Sequence, residues 1–218
     1  SMKEKHDLGA LRKSYEKGGL GDAAKTQDPL QLFRTWFSEA HSESAIEEAN
    51  TMSITTLGTD GYPKSRIVLL KHFDAEGFVF YTNYASEKGQ AIAKHPRVGI
   101  SFFWPVLERQ VIISGDAEKL TPEMSDAYFD SRPLGSRLGA LASPQSKVIE
   151  NRSELELNLK ALEHKYANSE PSRPEHWGGY LVRPVEIEFW QGRPNRLHDR
   201  LRFSLTTDDK WTAERLAP

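Results

Sequence analysis

Apolar positions along the chain follow two rhythms, and where one gives way to the other predicts the elements. Thr51–Leu57 alternates with a period of two and predicts a strand, and Thr59-Asp60-Gly61 predicts a hairpin turn leading toward the Arg66 strand. Ile67-Val68-Leu69-Leu70, between Arg66 and Lys71, and Phe78-Val79-Phe80-Tyr81-Thr82 are two β-rich runs. Asp74-Ala75-Glu76-Gly77 predicts a tight turn joining them as a hairpin, with Gly77 at positive φ. Consecutive aliphatics predict burial on both faces of the first run. Arg66 and Lys71 lie five residues apart, so a regular strand points them to opposite faces unless a bulge re-aims one. Further strands are predicted at 98–104, 109–114, 177–182, 185–190, 201–205 and 211–216.

Helical spacing fills the gaps. Asp28-Pro29-Leu30-Gln31 predicts an N-cap, and Leu30, Phe33, Phe37 and Ala40 make one apolar face. Ser86 to His95 predicts a helix stopped by Pro96. Thr121-Pro122-Glu123 opens another, through Tyr128 and Phe129 to near Pro133. Ser143-Pro144-Gln145 predicts the start of a long helix with a Leu155, Leu159, Leu162, Tyr166 stripe suited to core or dimer packing. Residues 1–27 are polar and read as a mobile arm. Within it, the spacing of Leu8, Leu11 and Tyr15 suits a short docking helix. Strands with helices between hairpins, not strictly alternating, predict a mainly β fold, an antiparallel β-barrel with inserted helices, as one domain over 28–218.

Composition narrows the function. The 218 residues carry a formal charge of −2 and no cysteine. No global basic field recruits nucleic acid or an anionic membrane. Disulfides, thiolate catalysis and zinc–thiolate sites are excluded, which fits a cytoplasmic protein, and no metal-ligand pattern is present. No apolar run approaches the ~20 residues of a bilayer span, and the first residues lack the apolar core of a signal peptide. Ser1 ahead of Met2 reads as a cloning remnant. Phosphate-loop, dinucleotide, zinc-protease and hydrolase signatures are missing.

Four clusters carry candidate chemistry: Arg66…Lys71; Tyr81-Thr82…Lys88; Tyr128…Arg132…Ser136; and Trp190…Arg196-Leu197-His198…Arg200. Guanidinium, ammonium and hydroxyl together form the donor set that grips a phosphate dianion. Tyr128 and Arg132, four residues apart, are predicted to share one helix face. Separable cationic sets suggest two phosphates, one on a cofactor and one on a substrate. His198 by itself reads as a hydrogen-bonded structural histidine.

RIVLLK at 66–71, FYTN at 80–83, LERQV at 107–111, Gln145-Ser146, IEFWQG at 187–192 and RLHDR at 196–200 resemble the pyridoxamine 5′-phosphate oxidase family, in consistent order from about Leu8 to Pro218. The resemblance implies an FMN-binding split β-barrel and a homodimer, with flavin sites at the subunit interface and 177–218 contributing to dimerisation and substrate. The implied reaction oxidises pyridoxamine or pyridoxine 5′-phosphate to pyridoxal 5′-phosphate with O2, releasing H2O2. By the same resemblance Arg66, Ile67, Val68, Leu69, Leu70, Lys71, Tyr81, Thr82, Lys88, Gln110, Gln145, Ser146, Trp190 and Arg200 contact FMN. Lys71, Tyr128, Arg132 and Ser136 hold the substrate phosphate. Arg196, Leu197 and His198 lie over its ring, with Arg196 and His198 as catalytic groups and His198 a candidate proton acceptor. Arg12, Lys13, Ser14 and Tyr15 form a mobile cover over the substrate. The chain departs from the family pattern at Glu87-Lys88, where an Arg-Lys pair is usual, and this predicts weaker FMN binding. Two alternatives stand beside this reading: a non-catalytic carrier of pyridoxal phosphate or flavin, and another flavin oxidoreductase on the same barrel.

Overall fold

The computed structural model describes residues 8–218, so the first seven residues of the arm, with Ser1 and Met2, lie outside it. Nine strands form one curled antiparallel sheet. They are β1 (Thr51–Leu57), β2 (Pro63–Leu69), β3 (His72–Asp74), β4 (Gly77–Asn83), β5 (Arg97–Trp104), β6 (Arg109–Lys119), β7 (Trp177–Gln191), β8 (Asp199–Leu205) and β9 (Trp211–Leu216). The order is β2-β1-β5-β6-β7-β4-β3, with β8 on β7 and β9 on β8. Inward positions alternate along each strand, so Met52, Ile54, Phe78, Phe80, Ile100, Phe102, Val111, Ile113, Ile187 and Phe189 make one core. Helix α1 (Pro29–Ser42) starts on Asp28, whose carboxylate accepts the Leu30 N–H. It plugs this core with Phe33, whose ring centroid lies 5.0 Å from Phe78 and 5.2 Å from Phe102.

The hairpin forms differently from its prediction. β2 pairs with β1, in register Arg66↔Ile54, and the partner of β4 across the Asp74–Gly77 turn is the short β3. Leu70 is tied to Asn50 instead: its N–H donates to the Asn50 carbonyl (2.8 Å) and its own carbonyl accepts the Asn50 amide (2.9 Å). That ends the strand and leaves β2 and β4 flanking a split, bridged by Lys71 N–H to the Val79 carbonyl (2.9 Å). Two-sided burial fails with it, since Ile67 is 66% exposed and only Leu70 of the run is buried. Gly77 adopts φ 143, and a Cβ there would meet the Val182 carbonyl at 2.1 Å, so the turn needs glycine.

The strands expected at 177–182 and 185–190 are one strand, β7. Pro184 lacks an N–H, and the register with β6 shifts by one residue at this point instead of breaking. β7 pairs with β4 before the irregularity and with β8 after it.

Three helical expectations change. Helix α2 (Glu87–Lys94) forms where predicted, with Ser86 as its N-cap, but α3 (Pro122–Ser131) stops with Arg132 already extended. Tyr128 and Arg132 therefore do not share a helix face; the Arg132-Pro133 step forbids continuation. A helix α4 (Leu134–Ala142), not foreseen, follows directly. The helix predicted from Ser143 begins instead as α5 (Arg152–Lys165), capped by Asn151. Ser146 at φ 69 breaks the intervening loop, and the leucine stripe of α5 is only half-buried. Residues 8–21 hold a turn at 8–11 but no docking helix. Among the described residues no helix is long and apolar enough to cross a membrane.

Candidate functional site

The split between β2 and β4 opens a cleft of about 520 Å3. Ile67, Val68, Leu69 and Lys71 line one wall, and Tyr81, Thr82 and Lys88 another. Tyr128, Arg132 and Ser136 close it from α3 and α4, with Gln145 from the following loop. Lys71 of the first cluster and all of the second and third thus converge on one place. Lys88 is buried; its Nζ donates to Thr82 Oγ1 (3.0 Å), which donates to Gln145 Oε1 (3.2 Å). Burial, then the nearby Arg66, push the Lys88 ammonium below the usual lysine range. Tyr81 and Tyr128 stack at 3.8 Å, and burial raises the Tyr81 phenol.

Arg132 lies over the Trp177 ring, 4.7 Å from its centroid, and its Nη1 is buried with no hydrogen-bond partner among the described residues. A buried guanidinium N–H without an acceptor is costly unless a ligand supplies one. Burial also pulls the Arg132 guanidinium below its ordinary range. Trp177, Asn83 and Pro133 line this cleft too and were not foreseen. Trp177 pairs with Asn83 in the β4–β7 register, a neighbourhood set by residues far apart in sequence.

A second cleft, of about 760 Å3, is lined by Arg12, Lys13, Ser14, Tyr15, Trp190, Arg196 and His198, with Arg193 and Asn195 in addition to the expected set. Leu197 stands exposed beside it. Asn195 and Arg196 both adopt left-handed backbone (φ 58 and 60). Such strain costs on the order of 1–3 kcal/mol per residue and is sustained only where the surroundings enforce it. His198 packs on Trp190 at 4.5 Å, and its Nδ1 accepts the Arg193 backbone N–H (3.0 Å). With Nδ1 so engaged, the neutral ring carries its hydrogen on Nε2 and offers a donor there. Burial, then Arg196, hold the imidazole below its usual range.

Of the remaining residues, only Trp190 lines either cleft, the second. Gln110, Trp190 and Arg200 form one cross-strand row on the outer face of β6, β7 and β8. Arg200 is engaged by Glu188 through Nε and Nη2 (2.9 and 3.0 Å), which raises its pKa, and by the Ala217 carbonyl. Leu70 is in the core, Arg66 Nη1 donates to Thr56 Oγ1 (2.6 Å), and Ser146 is exposed beside Gln145. Glu87, next to Lys88, pairs with Lys64, and that contact lowers its pKa.

A curled antiparallel barrel, split between two strands with cations gathered at the split, defines a class, and comparison with known proteins supplies its members. The structure matches PhzG from Burkholderia lata 383, solved with tetrahydrophenazine-1-carboxylic acid, at TM-score 0.84 and 26% identity, over 91% of this chain and 98% of that one. A pyridoxamine 5′-phosphate oxidase-related, FMN binding protein from Nostoc punctiforme shares the fold at TM-score 0.69 and 18% identity, over 88% and 100% of the two chains.

The family model described as pyridoxamine 5′-phosphate oxidase matches residues 38–166, and that of the pyridoxine 5′-phosphate oxidase C-terminal dimerisation region matches 177–218. The chain is 55% identical to the pyridoxine/pyridoxamine 5′-phosphate oxidase of Flavobacterium psychrophilum, over 97% of this chain and 99% of that one. It is 53% identical to the enzyme of the same name from Pseudomonas fluorescens SBW25, over 97% and 98%. The chain belongs to the pyridoxine/pyridoxamine 5′-phosphate oxidase family.

Proposed function

We propose that this protein oxidises pyridoxamine 5′-phosphate or pyridoxine 5′-phosphate to pyridoxal 5′-phosphate with FMN as cofactor and O2 as acceptor. The observation that carries this is the first cleft, where the buried, unpartnered Arg132 Nη1 meets Lys71, Tyr128 and Ser136. That set fits a phosphate monoester dianion. The Lys88–Thr82–Gln145 chain, with Tyr81 beside it, offers ammonium, hydroxyl and amide donors that fit a second phosphate and a polar ring system. When bound, FMN would supply the two-electron redox chemistry that the side chains lack, with O2 as final acceptor. For the amine, substrate, O2 and water give aldehyde, ammonia and H2O2. Lys71 and Arg132 hold the phosphate handle, while Arg196 and the Nε2–H of His198 orient the ring. Incubating the purified protein with pyridoxamine 5′-phosphate in air tests this: the aldehyde and H2O2 form in equal amounts. Absence of both from a flavin-loaded preparation would overturn it.

The flavin set falls in two places in one chain, the split cleft and the Gln110–Trp190–Arg200 row. A homodimer in which each chain completes the other's site accounts for that division. Ile67, Phe103 and Ile112, 66%, 63% and 39% exposed, face outward on the same side of the sheet and supply an apolar surface for the second copy. Dilution is therefore expected to release FMN and dissociate the chains together. Flavin-loaded monomers in dilute sedimentation runs would contradict this.

Glu87 sets a smaller effect. Its carboxylate is neutralised by Lys64 and exposed, so the expected weakening of FMN is modest. Glu87→Arg adds positive charge beside Lys64 and Arg66, and should tighten FMN several-fold at low salt, with the gain shrinking as salt rises. Equal affinities at low salt, by flavin fluorescence titration, would show that the phosphate does not sense this position.

A further inference from the structure

We propose that Glu108 is a positioning residue that seats Tyr15 over the second cleft and so lowers KM for substrate; this rests on reading that cleft as the half of the site that meets the substrate ring. Glu108 lies in the turn between β5 and β6, in left-handed conformation (φ 56), with its side chain 1% exposed. Its Oε1 accepts the backbone N–H groups of Glu16 (2.9 Å) and Lys17 (2.8 Å), and its Oε2 pairs with Lys13 Nζ at 3.2 Å. A buried carboxylate thus grips three points of one short stretch, and Tyr15 is enclosed by them.

The Tyr15 ring stands edge-on to Trp190 at 6.0 Å and lies 5.6 Å from His198, the residues that line the cleft wall. Gly192 completes the seat. Its N–H donates to the Glu108 carbonyl (2.7 Å), and a Cβ there would come within 2.9 Å of Tyr15 and 3.2 Å of Glu108 Cβ. Below the seat the chain has a separate anchor. Asp199 accepts the Leu20 N–H (2.8 Å), and Arg215 donates to the Leu20 carbonyl (2.8 Å) and pairs with Asp22 (2.7 Å). Breaking the Glu108 contacts therefore frees 13–17 while 20–22 stay attached. Burial pushes the Glu108 carboxyl up, but the Lys17 N–H, Lys13 and the Glu16 N–H outweigh it and keep it ionised.

Two readouts test this on the full-length, FMN-loaded protein. In Glu108→Ala, hydrogen exchange at the Glu16 and Lys17 amides should quicken about tenfold or more, with Leu20 unchanged. KM for pyridoxamine 5′-phosphate should rise several-fold while kcat holds within about twofold, because a cover binds ground and transition states alike. Glu108→Gln, which keeps an acceptor but loses the charge, should fall between the two. Unchanged exchange at 16 and 17, or faster exchange with unaltered KM, would overturn the proposal. A wild-type protein that fails to oxidise the substrate would sink the functional reading on its own, and exchange would still decide whether Glu108 seats Tyr15.

Discussion

Replacing Arg132 with methionine is expected to raise KM for pyridoxamine 5′-phosphate by roughly 10- to 150-fold, the worth of one charge-assisted contact of about 1.5–3 kcal/mol, with kcat little changed. Its guanidinium covers Trp177 and leaves Nη1 buried without an acceptor, so the folded apoprotein gains little from that charge. Methionine keeps the apolar contact with Trp177 and removes an unsatisfied donor, so thermal stability of the apoprotein should not fall. Steady-state kinetics beside a melting curve check both halves. A lower melting temperature with unaltered KM would make Arg132 a structural residue and remove it from the phosphate site.

Arg196→Ala should act on the other cleft, lowering kcat/KM for the amine by a similar factor, about 1.5–3 kcal/mol of transition-state stabilisation, while FMN affinity holds. Arginine already sits at φ 60 there, so alanine inherits the strain without adding to it. Loss of FMN in proportion to activity would mean that Arg196 serves the cofactor instead.

The strands and helix caps were legible because they are local. Asp28 and Thr121 cap where expected, the helix predicted over Ser86 to His95 forms, and the Asp74–Gly77 turn forms where glycine allows it. The Thr59–Gly61 turn joins β1 to β2 as its sequence predicts, but nothing near Ile67 reveals that Asn50 ties down Leu70 and keeps β2 from pairing with β4. The continuity of β7 through Pro184 was hidden for a related reason, since a bulge and a break have the same local composition. Gln145 was read as part of a helix start, whereas its side chain is held by Thr82 and the Asn83 N–H, a contact spanning more than sixty residues. In the site, residue types pointed to phosphate chemistry, but only the fold separates them into two clefts. Within LERQV nothing marks Glu108 as an anchor, because a single glutamate carries no pattern and its partners are backbone N–H groups that any sequence would supply.

In the proposed reaction, reducing equivalents pass from a B6 phosphate ester into flavin held by this chain. Mixing the yellow protein anaerobically with pyridoxamine 5′-phosphate, and recording the flavin absorbance, tests it most directly. Bleaching with one pyridoxal 5′-phosphate formed per flavin, reversed on admitting air, is the expected result. A flavin spectrum that persists under saturating substrate would contradict the account.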